Sequence, residues 1–438
     1  MSLGLIFTYL CTYGGSLLAL CDPWVGLLIY VCFAIIKPEA LWFWAVPPGN
    51  YSRIVAIALL IGWGLKGFGN WKLGQAKATT FIFIGLLGWA TVSALQARVP
   101  EVAWAWVEEM AKIVLPFVVG ITLIDSVRQV KQLAWVICVS HGYLALEFNR
   151  AYLGGFNRMH DVDFGGMDNN CLAIAMAAGT GLAFFLGLYE PKFWRKLVAW
   201  GFGLLMGHCV LFSFSRGGMF GLLVMGVVAF FLIPKKPRHY VAFAVAVLLA
   251  IRLAGPEVMQ RFWTSFADEK ERDASAESRV VMWRICLDII PKNPVLGVGP
   301  HNFPQYTQDY GHNHGVEAHN LWLQTTAELG LVGGALLIGF YGTCVRRMWW
   351  VTRNPALWTD EWFEHCPRMV VAALVGFGTS ATFVSLYGLE APYYIVLLGA
   401  GTLKLITAAD PPIEQIGYDD MRPASADVES FAPTATRH

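Results

Sequence analysis

Run after run of about 20 residues in this chain carries hardly a charge, and no other feature constrains the fold as strongly. A helix rises about 1.5 Å per residue, so roughly 20 apolar residues cross a hydrocarbon layer of about 30 Å. Such runs fall at residues 3–20, 23–36, 54–68, 78–97, 102–124, 129–148, 170–189, 197–212, 217–233, 240–254, 321–345, 369–387 and 391–408. Only helices that satisfy their own backbone hydrogen bonds suit segments of that kind. The pattern therefore predicts an all-α fold, a polytopic transmembrane helical bundle of about 12–13 helices. Composition agrees, with 56% hydrophobic and 14% charged residues, where a soluble domain carries about a quarter charged. The 18 Trp, 15 Tyr and 28 Phe suit aromatic belts at the two interfaces. The first run is followed at once by another, which predicts a retained helix and no cleaved signal peptide.

Orientation follows from the basic residues. Lys66, Lys72 and Lys77 flank one loop, Arg128 and Lys131 a second, and Lys192, Arg195 and Lys196 a third. Lys235, Lys236, Arg238 and His239 form a fourth, and Arg346, Arg347 and Arg353 a fifth. Alternating spans put all five on one side, which the positive-inside rule makes cytoplasmic. The chain then divides into N-terminal transmembrane helices (1–254), a large periplasmic loop containing short helices (255–319), C-terminal transmembrane helices (320–408) and a disordered cytoplasmic tail (409–438). Thirty-two basic against 31 acidic residues give a net charge of +1, which argues against a nucleic-acid partner. The nine cysteines form no CxxC pair and read as small buried hydrophobes. No Walker loop and no strand–GxGxxG–helix pattern appears, so a nucleotide-driven pump is not expected.

Residues able to carry chemistry gather on the other side. Ser213-Phe214-Ser215-Arg216-Gly217-Gly218 puts an arginine where positive charge is disfavoured. Its glycines leave room for an anion and expose N–H groups at a helix start; the plainer reading is a snorkelling charge. Arg279, Trp283 and Arg284 lie on one predicted helix, Arg279 and Trp283 sharing a face at i and i+4. Taken alone they are a surface helix, but two guanidinium groups can clamp a pyrophosphate. The stretch from Gly311 to Asn320 carries His312, His314 and His319 into a span, where an imidazole can serve as general base or simply cap the helix. Zinc binding by these histidines with Asp309 or Glu317 has no recognised ligand spacing, and neither metal nor cofactor is expected. Lys112, which can pair with Glu108, is an intramembrane charge, and Asp168-Asn169-Asn170 can cap a span or face a polar cavity.

In order along the chain, these segments resemble the O-antigen ligase superfamily. The resemblance rests on His319-Asn320 with Leu323, Glu328, Gly330 and Gly333 downstream, and on Ser215-Arg216-Gly217-Gly218. It extends to Ser278-Arg279, Trp283, Pro294, Gly297-Val298-Gly299-Pro300 and Asn302-Phe303. Asp168-Asn169-Asn170 and Pro23-Trp24-Val25-Gly26 look like the exosortase-associated O-glycosylation ligase branch. One departure is His301, where the family often has a small residue. The resemblance implies a metal-independent, inverting glycosyltransferase in the bacterial inner membrane, with its site facing the periplasm. The donor would be a glycan on undecaprenyl pyrophosphate, and the acceptor a lipid, glycan or protein. Arg216 and Arg279 would hold the pyrophosphate and His319 would orient or deprotonate the acceptor hydroxyl. Ser215, Gly217, Asn320, Asn170, Lys112 and Arg284 are expected to line the substrate site, together with His314, which like His312 is not a feature of the family.

Three other functions fit parts of the same pattern. A polymerase of the same superfamily would share the donor chemistry. A lipid-linked sugar transporter would more naturally show inverted repeats and charges along several spans. A zinc-dependent membrane hydrolase would need a ligand set that the spacing does not supply.

Overall fold

The computed structural model describes residues 2–233, 274–313, 315–385 and 389–409, with scattered positions between 237 and 252. Its main helices are α1 (Leu3–Cys21), α2 (Pro23–Ile36), α3 (Tyr51–Leu65), α4 (Lys77–Ala94), α5 (Pro100–Leu123) and α6 (Val127–Leu153). They continue with α7 (Asn169–Tyr189), α8 (Phe193–Phe212), α9 (Arg216–Leu232), α10 (Ala274–Lys292), α11 (Leu321–Arg353), α12 (Glu361–Ser380) and α13 (Ala391–Ala409). Among the described residues there is no strand, and the one extended pairing is an isolated bridge between Phe164 and Met167. Seven helical stretches among the described residues are long and apolar enough to cross a membrane. The chain is an all-α, polytopic helical membrane protein.

Local sequence sets the helix starts. Asp22, Ser126, Asp168, Ser215, Asn320 and Asp360 each accept a first-turn N–H from α2, α6, α7, α9, α11 and α12, satisfying donors that would otherwise be orphaned. The centre of the bundle is α7, 83% of whose most apolar window is buried. Its Ala- and Gly-rich face admits α8, α9 and α12 at close range, as small residues do where lipid offers no hydrophobic drive. A Cβ on Gly221 of α9 would sit 1.7 Å from Ser380 Oγ on α12.

Contacts between loops sort cleanly to two ends of the bundle. At one end Arg347 donates to Gln75 Oε1 (2.7 Å) and Asn70 Nδ2 to Asp125 (3.0 Å). Lys131 lies 3.6 Å from Asp360 and Lys404 lies 3.2 Å from Asp125. At the other end Arg98 meets Asp309 (2.6 Å), and the Val99 N–H donates to Asn302 Oδ1 (2.8 Å). There, too, Lys37 Nζ donates to the Gly165 carbonyl (2.8 Å) and Asn169 Nδ2 to the Ser213 carbonyl (2.9 Å). The basic loops around 66–77, 125–131 and 346–360 thus share one end, as alternation predicts. Of the expected span at 240–254 and the basic loop at 235–239 only scattered positions are described, and the aromatic residues Phe262, Trp263 and Phe266 and the tail after Asp410 lie outside the described residues.

Two features depart from the expectations of the sequence. Within 255–319 the main element is α10, 19 residues long, where the sequence predicts short helices. Its Met282, Ile285, Cys286 and Ile289 form an apolar stripe packed with Val298, Phe303, Ala318 and Ala327 into a second core, which accounts for its length. The other departure is in α11, which is broken at Gly330 (φ 71°, ψ −178°). The 294–299 loop wedges into the break. Val298 and Gly299 N–H groups donate to the Ala327 and Glu328 carbonyls (3.1 and 2.8 Å), and the Leu331 N–H donates to the Pro294 carbonyl (2.8 Å). Trp89 Nε1 donates to the Leu329 carbonyl (2.9 Å). Every backbone group freed by the break that these bonds reach is paired, the condition for irregular backbone at membrane depth.

Candidate functional site

Three helix starts meet at the end opposite the basic loops: α7 at Asn169, α9 at Arg216 and α11 at Leu321. A line of side chains joins the first two. Ser215 Oγ donates to Asn170 Oδ1 (2.8 Å) and Asn170 Nδ2 to Asp168 Oδ2 (2.9 Å). Ser215 also receives the Gly218 N–H (3.2 Å). Arg216 is therefore the first residue of α9, half-buried, on a turn anchored to α7. The turn itself is tight, with Phe214 at φ 56°.

His319 sits just outside α11 in the left-handed region (φ 47°), a conformation a non-glycine residue holds only when its surroundings fix it. Its N–H donates to Ser385 Oγ (2.9 Å), and Ser385 donates to Gln324 Oε1 (2.5 Å), which also receives the Ala318 N–H (3.0 Å). Asn320 follows as the helix cap, accepting the Leu323 N–H (3.1 Å). The backbone of His319 is thus bolted down while its imidazole stays available. Nδ1 is buried with no hydrogen-bond partner among the described residues. Burial first, and then the Arg279 guanidinium, lower the His319 pKa below its ordinary value, and the Asp168 carboxylate partly offsets this. The neutral imidazole is consequently the form present at neutral pH.

Arg279 and Trp283 share the inward face of α10, as their spacing predicts. Trp283 Nε1 donates to the Ala318 carbonyl (2.9 Å), next to His319, so α10 is docked on the approach to α11. Arg284, one residue on, is exposed and is not brought to this cluster by any described contact. Lys112 is elsewhere as well. It lies on α5, paired with Glu108 (3.0 Å) and Glu109 (2.6 Å). His314 lies outside the described residues. Among those described, no three His, Cys, Asp or Glu side chains are grouped to hold a metal ion.

The glycines after Arg216 have a packing role that nothing in their sequence context signals. A Cβ on Gly217 would stand 2.7 Å from Phe383 Cβ, and one on Gly218 would stand 2.6 Å from Ala173 Cβ. The space beside them is occupied by protein. Gly218 N–H is also engaged by Ser215, so fewer backbone donors are open at this helix start than the sequence alone suggests.

Beside the His319 anchor lies a cavity of about 60 Å³ lined by Ser385, Gln324, Trp106, Glu109, Glu390 and Tyr393. Glu317, Glu328 and His301 also line it. Gln324 Nε2 donates to Glu328 Oε1 (3.0 Å). Burial raises the Glu317 pKa above the ordinary carboxyl value and lowers that of His301. Sequence reasoning missed Asp168 as a charged neighbour of His319, and also Ser385, Gln324 and Glu390. Glu328 did carry a signal, being an acidic residue inside an apolar run. Ser385 carried none.

Residues 201–338 match a family model described as O-antigen ligase. That match spans Arg216, Arg279, His319 and the break at Gly330. Residues 4–155 match a second model, described as a family of unknown function. No curated protein matches the chain.

Proposed function

From the match of residues 201–338 to the O-antigen ligase family we propose that the chain transfers a glycan from undecaprenyl pyrophosphate to an acceptor hydroxyl at the periplasmic face of the bacterial inner membrane. The observation that carries this reading is His319: a half-buried imidazole held by its backbone, with the Arg279 guanidinium and the Asp168 carboxylate close enough to act on its charge. In an inverting displacement the acceptor oxygen bonds to the anomeric carbon as the bond from that carbon to the pyrophosphate oxygen breaks. The acceptor proton passes to His319, and the electron pair of the broken bond leaves on undecaprenyl pyrophosphate. Charge grows on the departing phosphate, where fixed guanidinium groups of Arg279 and Arg216 lower the barrier most. Ser215, Asn170 and Asn320 hold the helix starts that carry these groups. The basic loops around 66–77, 125–131 and 346–360 at the opposite end support the periplasmic orientation, and the Pro23–Gly26 and Asp168–Asn170 segments support the O-glycosylation branch.

The test is transfer by the purified protein from undecaprenyl-pyrophosphate-linked glycan to a defined acceptor. His319→Ala should lower the rate about 10²–10⁴-fold, and Arg279→Ala by a comparable factor, with each variant folded as judged by its elution. Undiminished transfer by both variants would remove the assignment. A polymerase fits the same donor chemistry and is recognised by products that lengthen on the lipid carrier.

A further inference from the structure

The peptide groups that flank His319 are gripped from several sides, and the grip can be followed to its source. The Ala318 N–H donates to Gln324 Oε1 (3.0 Å), and the Ala318 carbonyl accepts from Trp283 Nε1 (2.9 Å). The His319 N–H donates to Ser385 Oγ (2.9 Å), whose own hydroxyl donates to Gln324 Oε1 (2.5 Å). Gln324 Nε2 in turn donates to Glu328 Oε1 (3.0 Å), and the Glu328 carboxyl also receives the His301 and Phe303 N–H groups. Only one orientation of the Gln324 amide serves. Turned over, it would point its NH2 at an N–H donor and its oxygen at a carboxyl oxygen. The Glu317 carboxyl reaches the same Ser385 hydroxyl, which the short bond to Gln324 already engages. Donors therefore run one way, from the His319 peptide to Glu328. Ser385, Gln324 and Glu328 are all buried, so breaking a link strands its partner away from water.

From this geometry we infer that Gln324 and Ser385 are positioning residues for the transfer step, acting through His319 without touching the reacting atoms. The inference rests on the reading of His319 as the group that takes the acceptor proton. His319 holds a left-handed φ of 47°, which a non-glycine residue keeps only where its neighbours impose it. The Ala318 peptides held by Gln324 are also where α10 docks through Trp283, and Arg279 lies one turn from Trp283 on that helix. Gln324 and Ser385 thus fix the imidazole relative to the Arg279 guanidinium. Ser385 is itself tied to α7, its carbonyl accepting from Cys171 Sγ (3.6 Å). The anchor consequently joins α7, α10 and α11, and a misplacement of about 1 Å at a catalytic group can cost about 10²-fold in rate.

The test is a double-mutant cycle on transfer by the purified full-length protein, read as single turnovers with enzyme in excess so that slow variants stay measurable. Ser385→Ala should lower the maximal rate about 10–10²-fold and leave the half-saturating donor concentration within about twofold. Ser385→Thr keeps the hydroxyl and should recover most of the rate. In a His319→Ala background, Ser385→Ala should change the rate by less than about twofold, because the anchor then has no imidazole to place. Gln324→Met, of similar length but without the amide, should follow the same cycle, and it decides the matter if Ser385→Ala does not elute as folded protein. The same fold-loss in both backgrounds, an effect confined to the half-saturating concentration, or an undiminished maximal rate in the two single variants would overturn the inference. With His319→Ala itself impaired, those outcomes leave the transferase reading standing. Undiminished transfer by His319→Ala faults that reading, and the anchor's role falls with it.

Discussion

Replacing Gly330 by alanine tests the most unusual backbone in the protein. Its φ of 71° with ψ of −178° belongs to a region that is essentially glycine-only, at a cost of about 1–3 kcal/mol for other residues. Sterics add to that: a Cβ would lie 2.1 Å from the Val295 carbonyl oxygen and 2.4 Å from its carbon. The clash is with backbone, so relief requires moving the 294–299 loop. That loop holds the Ala327, Glu328 and Pro294 pairings across the break, each worth about 1 kcal/mol and more if a carbonyl is stranded away from water. Strain plus two weakened pairings gives a loss of about 4 kcal/mol. Gly342 is the control, on the same helix, exposed and with no atom within 4 Å of where its Cβ would stand. There alanine should be neutral or stabilising by up to about 1 kcal/mol. Thermal unfolding of the detergent-solubilised protein, followed by size-exclusion profile, should place Gly330→Ala far below wild type and Gly342→Ala at or above it. A Gly330→Ala protein as stable as the control would refute the broken-helix argument.

The pH dependence of transfer follows from the charges around His319. Its pKa is depressed by burial and by Arg279, so the active neutral form should persist below the ordinary histidine value, and kcat/KM should fall only as pH drops through the depressed value. Arg279→Gln removes a repelling positive charge, which should move that acidic limb to higher pH; Asp168→Asn removes an attracting negative charge and should move it lower. A limb that stays fixed in both variants would mean that another group titrates. Asn302 is fully buried and bridges Val99 and Pro300 through its amide, so Asn302→Ala should cost about 2–3 kcal/mol, read by the same unfolding assay. Arg284→Ala, exposed on α10, should leave transfer within about twofold of wild type, in contrast to Arg279→Ala.

The helices are legible in the sequence because each apolar run is long and its caps are explicit. Asp168, Ser215 and Asn320 start α7, α9 and α11 within a residue of where the sequence pattern begins. Arg279 and Trp283 are legible as a pair because helical spacing fixes a shared face. The break in α11 is not, since Gly330 inside an apolar stretch reads equally well as a packing glycine in a straight helix. Only the loop from Pro294 to Gly299, more than 30 residues upstream of Gly330, makes the interruption favourable. The cavity is illegible for a similar reason. Its carboxylates come from α5, the approach to α11 and the start of α13, and no local pattern joins Glu109 to Glu317 or Glu390.

Three helix N-termini converging on one point would ordinarily be read as an anion site made of backbone. Here the Cys171, Gly218 and Leu323 N–H groups are already taken by the caps Asp168, Ser215 and Asn320, and one of those caps is itself a carboxylate. The helix dipoles still contribute a favourable field, but Asp168 opposes it at close range. Specific attraction for a pyrophosphate must therefore come from side chains, and the shape of the guanidinium matters as much as its charge. Lysine at position 279 would keep the charge that depresses His319 but lose the bidentate fork. Arg279→Lys should thus retain the acidic limb of the wild-type pH profile while losing transfer rate by about tenfold or more. A full loss of the limb's position with the rate preserved would mean that Arg279 serves the imidazole electrostatically and leaves the phosphate to other groups.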